Sequence, residues 1–353
     1  MAAIYTGGSA SVTYGYEEDT ASPPVATFGI SPAASFLTNI FGMNQKVSSL
    51  TLNTGQMPLN KLGQVEVSKF AYGQQTGSVN IGFVWDSSKS DKIFKAIFGA
   101  PSTSSNVDTY PSSSTKPFGA SSGGVAVSPS SPLSITTRIH QIIANGSNTL
   151  LNRTLKGCIV QSLGLSTSIG ETLNATLDMA FAREDSTSVE ASSGFVSQTN
   201  TSPANDLATT PYTFAHGVLQ TSTGGDAIAT IGEVQDIDIT LTTNAELLWG
   251  LGSHHASTVF RKIFDVTGRF KTSSKNGDLI QAVIDQSRVG TEEINTADVS
   301  LDLTFTDGTK SLKIELGGIS ITDHSVSGIE PAEPIFEEVN IKAKSVRIVS
   351  DQA

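Results

Sequence analysis

Hydrophobic and polar residues alternate along several stretches of this chain, with the period of two that is typical of half-buried β-strands. In residues 173–182 the odd positions are apolar and the even positions are polar or small. Residues 339–345 repeat this alternation near the end of the chain. Each run follows another strand-like segment, 157–166 and 317–322 respectively, so a pair of neighbouring strands is predicted in each half.

Two short stretches break the strand pattern and predict helices at about 89–98 and 275–285. In each stretch the apolar residues are spaced so that they cover one face of a helix. Asp91 and Asp278 lie near the predicted starts, where a carboxylate interacts favourably with the free N–H groups of a first helical turn. One short helix is therefore expected in each half of the chain.

The two halves share their order of elements. Residues 47–63 resemble residues 236–252 at an offset of 189. A Ser-Ser-Lys block precedes each predicted helix, at 87–89 and 273–275, with an offset of 186. This smaller offset predicts that the second copy has lost a few residues from its strand. The order of strand, loop, strand, helix and strands occurs twice and indicates a duplicated domain. The alternative is a chance similarity between two Ser/Thr-rich β-segments.

The composition of the connecting segments gives the domain boundaries. Residues 1–40 are predicted to form an N-terminal arm, 41–186 a first domain and 211–353 a second domain. The Ser/Pro/Gly-rich stretch 100–133 is predicted to be an exposed insertion in the first domain. The polar residues 187–210 are predicted to link the two domains. A length of 353 residues is consistent with two domains.

The charge of the chain argues against tight binding to nucleic acid. With 22 basic and 33 acidic residues, the net charge is −11, whereas proteins that grip phosphates are basic. All of this excess belongs to the second half: residues 1–186 hold 11 basic and 11 acidic side chains, and residues 187–353 hold 11 and 22. Charged residues make up only 16% of the chain, less than the usual quarter, and Ser, Thr and Gly take their place.

The chain offers few residues in patterns that carry catalysis or metal binding. Its five histidines show no metal-binding spacing, and the adjacent His254 and His255 would point to opposite faces of a strand. The single cysteine, Cys158, lies in an apolar run and is expected to be a buried, inert thiol. Ser113 and Lys116 match an S-x-x-K pattern but lie in the low-complexity insertion, whereas a nucleophilic serine needs a rigid site. No enzymatic activity, catalytic residue, cofactor or metal site is predicted.

Two predicted hairpin tips, at 55–63 and 244–258, are more apolar than turns usually are, because turns favour small polar residues. An exposed apolar tip indicates a surface that contacts a partner. The alternative is that each tip folds back on its own core. The residues expected to make contacts between subunits or between rings are Met57, Leu59, Leu62, Leu247, Leu248, Trp249 and Leu251.

The segment 236–254, followed by the strand that begins at 266, resembles the signature of viral tail tube proteins. In that family a strand ending in an Asn-rich turn is followed by a Leu-Gly-Ser loop and then by a strand that opens with a v-x-G-x-f motif. The duplicated organisation covers residues 40–349. The insertion at 100–133, and Trp249 with its paired histidines, depart from the family pattern and leave the subfamily open.

The resemblance implies a mainly β fold with two tandem tail-tube-like domains, each a β-sandwich or split barrel with one short flanking α-helix. Such domains join edge to edge into a ring, and the rings stack into the tube through which viral DNA passes. A chain with two domains would form rings of three chains with pseudo-sixfold symmetry. The ring number, and the strands that would line the lumen, are left open by the sequence.

The resemblance also implies where the protein acts and with what. It would be made in the host cytoplasm and become part of the virion tail. Its partners would be further copies of itself, a tape measure protein, and tail terminator or baseplate proteins. The DNA would pass through the lumen without specific binding, and no membrane would be involved.

Three other functions stay open at this point. The tube protein of a contractile tail or injection machine would have the same fold and different partners. A surface-layer or adhesin β-protein would need a secretion signal, and the first residues show no basic region followed by an apolar one. A β-rich enzyme acting on carbohydrates or peptides would need a pocket with clustered carboxylates.

Overall fold

The computed structural model describes residues 10–17, 28–29, 39–59, 69–71, 73–112, 134–143, 149–185, 190–191, 211–223, 229–230, 234–260, 262, 264–273, 299–328 and 335–351. As the alternation of the sequence predicts, this part of the chain is mainly β-strand. It contains one α-helix, α1 (Ile93–Phe98), which follows a 3-10 turn at Ser90–Lys92, and a second 3-10 turn at Phe214–His216.

The strands are β1 (Ala10–Tyr16), β2 (Met43–Asn53), β3 (Met57–Leu59), β4 (Lys69–Ala71), β5 (Thr76–Val84), β6 (Ser102–Ser104), β7 (Val107–Tyr110), β8 (Ile135–Ile143), β9 (Thr149–Ser168), β10 (Asn174–Phe181), β11 (Arg183–Asp185), β12 (Glu190–Ala191), β13 (Gly217–Thr223), β14 (Ala229–Thr230), β15 (Val234–Thr242), β16 (Glu246–Leu248), β17 (Thr258–Phe260), β18 (Asp265–Ser273), β19 (Val299–Thr306), β20 (Ser311–Ser327) and β21 (Phe336–Asp351). The strand pairs predicted near 157–182 and 317–349 are β9–β10 and β20–β21.

Eight strands lie side by side in one antiparallel sheet, which we name the long sheet. Their order is β2-β5-β10-β9-β15-β18-β21-β20. The pairing of β9 with β15 runs from Ser162↔Thr242 to Ser168↔Asp236. The two halves of the chain therefore share a single sheet and meet at the β9–β15 junction.

The longest strands leave the long sheet and enter two smaller sheets, which we name the cover sheets. The first consists of β1, β8, the first part of β9, and β11 with β12. The second consists of β14, β13, β19, the first part of β20, the end of β21, and the β6–β7 hairpin. Apolar side chains of the long sheet and the cover sheets form one continuous core.

Two glycines make the change of sheet possible. Gly157 in β9 and Gly318 in β20 have φ angles of 62° and 63°, in the left-handed region that glycine occupies without steric cost. A Cβ atom on Gly157 would lie 2.8 Å from Cβ of Ala182, and one on Gly318 would lie 3.1 Å from Cβ of Lys344. A side chain at either position would be strained by the positive φ, and at Gly157 it would also collide with Ala182.

The hydrogen-bonding register repeats between the two halves. Five consecutive pairs of β2–β5, beginning at Ser49↔Asn80, recur in β15–β18 at an offset of 189. The β9–β10 ladder recurs in β20–β21 at offsets of 161 and 162. Each of these two ladders skips one residue in a β-bulge, Gln161 in β9 and Thr322 in β20. A shared register that includes the bulge is consistent with the predicted duplication, because bulges are specific features of a fold.

One detail of the predicted repeat is wrong. Strands β5 and β18 each have nine residues and begin 189 residues apart, so the second copy has lost nothing from its strand. The two Ser-Ser-Lys blocks occupy different places, because Ser273 ends β18 whereas Ser87 comes after the end of β5. The offset therefore changes after the strand.

Helix α1 confirms the helix predicted at 89–98. Its apolar side chains are buried, and Phe94 packs 5.3 Å from Trp85 between ring centroids. At the other end, Phe98 lies 5.4 Å from Phe264, so α1 connects the cores of the two halves. The second predicted helix, 275–285, lies outside the described residues.

The predicted N-terminal arm contributes a strand to the first cover sheet. Strand β1 pairs with β8 over its whole length, and Tyr14 stacks on Phe41 with 4.4 Å between ring centroids. Just after this strand, the buried carboxylate of Glu17 accepts hydrogen bonds from the backbone N–H groups of Gly29 and Gly157, both at 2.7 Å. These contacts hold the segment against the kink in β9.

The insertion predicted at 100–133 is ordered over its first residues. Strand β7 pairs with the end of β21, with Tyr110 opposite Ile348, and Tyr110 is only 2% exposed. The prediction of an exposed insertion is thus wrong for residues 107–111, because their hairpin extends the second cover sheet. Residues 113–133 of the insertion and most of the predicted linker lie outside the described residues.

Candidate assembly surfaces

The long sheet has one apolar and one polar face. Because side chains alternate along a strand, residues such as Ile237, Ile239 and Leu241 of β15 point into the core, and their neighbours point away from it. On the open face β5, β9 and β15 carry Ser78, Asn80, Ser162, Gly164, Ser166, Asp236, Asp238 and Thr240. On these three strands the face is thus covered mainly with small polar side chains, whereas β18 and β21 add long charged ones.

Carboxylates on the open face are held by neighbouring donors. Asp178 accepts hydrogen bonds from Asn80 Nδ2 at 2.6 Å and from Ser162 Oγ at 2.9 Å, beside a concavity of about 390 Å³. In the second half, Arg269 forms ion pairs with Asp236 at 2.7 Å and with Glu338 at 3.3 Å. Asp178 is thus held by neutral donors, whereas Asp236 and Glu338 share one cationic partner.

The long sheet ends in two strands with one hydrogen-bonding neighbour each. Within the described part of the chain, β2 pairs with β5 alone, and residues 323–327 of β20 pair with β21 alone. Strand edges of this kind are ready to pair with another chain. Apolar side chains are exposed there: Leu52 on β2 is 37% exposed.

Two hairpin tips extend from the same end of the long sheet. Tip 1 (residues 54–75) contains β3 and β4, and tip 2 (residues 243–264) contains β16 and β17. Strands β3 and β4 of tip 1 recur as β16 and β17 of tip 2 at an offset of 189, and the flanking strands β2 and β5 recur as β15 and β18, with the end of β15 and the start of β18 at the same offset. The tips are therefore equivalent parts of the two halves.

Tip 2 folds back on the first half of the chain through some of its predicted contact residues. Leu247 is 8% exposed and packs in a small apolar cluster with Ile159 and Ala182. Trp249 is half-buried against the same cluster. The backbone N–H of Gln75 in tip 1 donates a hydrogen bond to the carbonyl of His254 at 2.8 Å. Leu247 thus packs within its own chain, as the alternative of a tip that folds back on its core predicts, rather than facing a partner chain.

The other predicted contact residues are exposed. Leu248 is 42% exposed and Leu251 is fully exposed, and in tip 1 Met57 and Leu59 are 53% and 50% exposed. Leu62 lies outside the described residues. Leu59 and Leu248 are equivalent, so the exposed position is the same in both tips. For these residues contact with a partner stays a prediction that the structure permits.

Sequence reasoning missed further exposed apolar residues. Phe70 and Phe260 lie on β4 and β17, the returning strands of the tips, and are 62% and 53% exposed. Ile169 is 61% exposed at the opposite end of the long sheet, beyond the last residue of β9. Phe70 and Phe260 could have been suspected from the sequence, because each is an apolar residue that follows a predicted tip. No local sequence feature distinguishes Ile169.

The residues with potential chemistry are dispersed. Among the described residues, no group of three or more His, Cys, Asp or Glu side chains could hold a metal ion. His254 and His255 are both exposed, and Nδ1 of His254 lies 3.3 Å from the carbonyl oxygen of Gly73. Cys158 is buried, as predicted, and burial raises the pKa of its thiol to about 12. A thiol with so high a pKa is not a nucleophile at neutral pH.

Sheet edges with one hydrogen-bonding neighbour and exposed apolar tips are typical of a protein that associates with further chains. A comparison with protein families agrees with this interpretation. The family model described as "Phage tail tube protein" matches residues 7–343. The chain belongs to the phage tail tube protein family. A comparison with curated proteins found no match.

Membership in the tail tube protein family gives the role and the place of this protein. It is a structural component of the virion tail, where tail tube proteins assemble into a tube. This agrees with the resemblance carried by residues 236–254. The mainly β fold agrees with it as well, and no helix in the described ranges is long and apolar enough to cross a membrane.

Asp91 is a buried carboxylate that should make the stability of the tail tube protein depend on pH. Asp91 is 3% exposed and accepts a hydrogen bond from Ser350 Oγ at 2.8 Å. Burial raises the pKa of Asp91 to about 6, against the opposing effects of Ser350 and the charge of Lys92. The unfolded chain has a lower pKa, near 3.9. The folded chain therefore binds this proton more tightly, and stability falls as the pH rises from about 4 to about 6.

An Asp91→Asn variant tests this dependence. Because the amide stays neutral, the variant should gain stability over the parent as the pH rises, by on the order of 1–3 kcal/mol between pH 4 and pH 7. Chemical denaturation of both proteins at the two pH values measures the difference. An equal effect of the substitution at both pH values would contradict the assignment to Asp91.

Proposed function

We propose that this protein forms closed rings of three chains, that the rings stack into the tail tube, and that viral DNA passes through the lumen. The observation that carries the proposal is the β9–β15 junction. There, two equivalent half-chains join edge to edge in one sheet through seven consecutive residue pairs. The same joint can be made again between chains, because the outer edges of the sheet belong to strands equivalent to those at the junction.

Closing the sheet would remove the two free edges. A heterologous contact repeated around an axis closes into a ring when the rotation permits it, and closure leaves no edge for misdirected pairing. Each chain is proposed to contribute two equivalent domains, with the boundaries 41–186 and 211–353 given by the sequence. Six domains of this kind correspond to three chains.

The dimensions of such a ring suit a DNA conduit. Three chains would contribute 24 strands, from the eight strands of each long sheet. With strands about 4.8 Å apart and tilted by about 40°, opposite backbones would lie about 50 Å apart. Even after side chains are added, the lumen is wider than duplex DNA.

The open face of the long sheet is the proposed wall of the lumen. On β5, β9 and β15 it carries mostly Ser, Thr, Asn and Gly, and the charged groups that β18 and β21 add are of both signs, as with Arg269 and Glu338. Arg269 and Lys342 on this face are paired with the carboxylates of Asp236, Glu338 and Asp265, so they offer less free positive charge to phosphates. DNA could therefore move along it without being bound.

Stacking of rings requires complementary surfaces at the two ends of the long sheet. The tips present Leu59, Leu248 and Leu251 at one end, while Ile169 and Ile335 are exposed at the other. Contact between unlike ends extends indefinitely, as a tube requires. A tape measure protein within the lumen, and terminator or baseplate proteins at the open ends, are the further partners that this architecture would need.

Electron microscopy of the purified protein at high concentration tests the proposal. We expect rings or tubes with an axial channel, and native mass spectrometry of ring fractions should give three chains per ring. A stable monomer that forms no rings under any condition would contradict the proposed assembly. Rings with six chains would contradict the proposed contribution of two domains by each chain.

A further inference from the structure

The contact between neighbouring chains in a ring can be specified to the residue, because the molecule contains a copy of it. At the β9–β15 junction, Leu165 faces Ile239 and Gly164 faces Thr240. Strand β20 is equivalent to β9 at an offset of 161, and β2 is equivalent to β15 at an offset of 189. These offsets convert each internal pair into a pair between β20 of one chain and β2 of the next.

We propose that residues 323–327 of β20 pair antiparallel with residues 49–53 of β2 in a second copy of this chain. The proposal rests on the proposed ring assembly and fixes its register. The expected opposite pairs are Ser327↔Ser49, Val326↔Leu50, Ser325↔Thr51, His324↔Leu52 and Asp323↔Asn53.

The burial of equivalent residues supports this pairing. Ile239 and Leu241, inside the junction, are 1% and 0% exposed, whereas Leu52, the equivalent of Leu241 on the outer edge, is 37% exposed. Leu50, the equivalent of Ile239, is only half-buried. A second chain on β2 would bury these apolar side chains as β9 buries their counterparts.

A threonine at the end of the junction gives an independent indication. Thr243 is 2% exposed; its backbone N–H donates a hydrogen bond to the carbonyl of Gln161 at 2.8 Å, and its hydroxyl donates one to the carbonyl of Val160 at 2.5 Å. The equivalent of Thr243 at the outer edge is Thr54, which is exposed. The residues equivalent to Gln161 and Val160 are Thr322 and Ile321 of β20. In the proposed pairing, Thr54 of one chain therefore donates hydrogen bonds to the backbone carbonyls of Thr322 and Ile321 in the neighbouring chain.

The edge of β20 also carries a feature that restrains unspecific pairing. His324 takes the place of Leu163, and its Nε2 lies 3.2 Å from Oε2 of Glu337, which is 1% exposed. A polar pair pointing inwards at a strand edge disfavours association with an arbitrary hydrophobic strand. It does not block the proposed partner, because strands pair through their backbone N–H and C=O groups, and the side chain of His324 is already held by Glu337.

A disulfide between Thr51→Cys and Ser325→Cys tests the register. Both positions are exposed, and opposite residues in an antiparallel pair have Cβ atoms about 4.5–5.5 Å apart, close to the distance that a disulfide spans. Within one chain the two positions lie on opposite edges of the eight-stranded sheet, about 30 Å apart, so an intrachain bond is excluded. Cys158, the single native cysteine, is buried and does not compete.

The matched control is Asn53→Cys with Ser327→Cys. These positions lie on the same two strands and face, but four residues out of register, about 13 Å apart in the proposed pairing. After mild oxidation of assembled protein, gel electrophoresis without reductant should show most of the Thr51/Ser325 variant in cross-linked dimers and trimers and no larger species. The control should remain monomeric on the gel.

The outcomes separate this inference from the proposed function. Rings or tubes that contain no Thr51–Ser325 disulfide, or a control that cross-links instead, would overturn the register and leave the ring intact. A ladder that continues to six chains would support the register and contradict the three-chain ring. A protein that neither cross-links nor forms rings at high concentration would overturn both.

Discussion

A Leu248→Asp, Leu251→Asp double variant is expected to fold and to form rings, but not tubes. Leu248 stays 42% exposed although tip 2 already has its neighbouring half-chain in place, and Leu251 is fully exposed. Leu59, the equivalent of Leu248, has a lateral neighbour on its other side and is still 50% exposed. Neither lateral neighbour therefore covers this position, and stacking is the remaining contact that could. Burying one leucine contributes about 1.5–3 kcal/mol, and a ring repeats the contact in every chain.

Two further variants make this result interpretable. Val218→Asp places the same carboxylate at a residue that is also 42% exposed, but in the second cover sheet; it should leave tubes unchanged. Leu247→Asp should instead unfold tip 2, because it would bury an unpaired charge beside Ile159. Circular dichroism measures folding and electron microscopy counts tubes. Normal tubes from the double variant would refute the stacking role of the tip.

Glu17→Ala is expected to reduce the free energy of unfolding by about 3–6 kcal/mol. Glu17 is 1% exposed, and besides the two backbone N–H groups its carboxylate accepts hydrogen bonds from Ser134 Oγ at 2.5 Å and Thr136 Oγ1 at 2.9 Å. Burial raises the pKa of Glu17, and these four donors oppose that rise. Each donor left buried without an acceptor costs about 1–3 kcal/mol.

The loss of stability in Glu17→Ala should begin at the carboxylate site and affect the whole fold. Gly157 is the residue at which β9 changes sheet, so the Glu17 carboxylate holds both the N-terminal segment and the kink of a strand that continues to the half-chain junction. Glu17→Gln, which keeps the size and one acceptor oxygen, should lose about half as much as Glu17→Ala. Denaturant unfolding of the unassembled chain measures both. A loss below about 1 kcal/mol for Glu17→Ala would show that the network is not needed for stability.

Local pattern was sufficient for the elements that it could describe. The alternation in 173–182 predicted β10 because one face of this strand is buried by the core and the other is open. The apolar face at 93–97 predicted α1 for the same reason. The offset of 189 between similar segments could also be recognised, since residues in equivalent environments keep similar polarity. Alternation and helical spacing are relations between residues that are close in sequence, so they can be recognised without knowing the tertiary structure.

The pairing of strands that are distant in sequence could not be predicted in the same way. Nothing in 102–110 indicates that β7 completes the second cover sheet beside β21, or that β1 joins the first cover sheet through β8. Both strands are short, and their partners lie far away in the chain. The buried role of Glu17 was equally hidden, because a carboxylate in a polar segment is usually exposed and its four donors come from three separate segments.

The sequence by itself determined that this protein is mainly β, that segments of its two halves correspond at an offset of 189, and that its hairpin tips carry apolar residues. Only the tertiary structure decided which of those residues are covered: Leu247 packs on the first half of the chain, while Leu248, its neighbour, points away from it. It also decided that β2 and β20, which are equivalent to interior strands, lie at the edges of the sheet. The reason is physical, because burial depends on what lies across from a side chain, and that is fixed by pairing between distant segments.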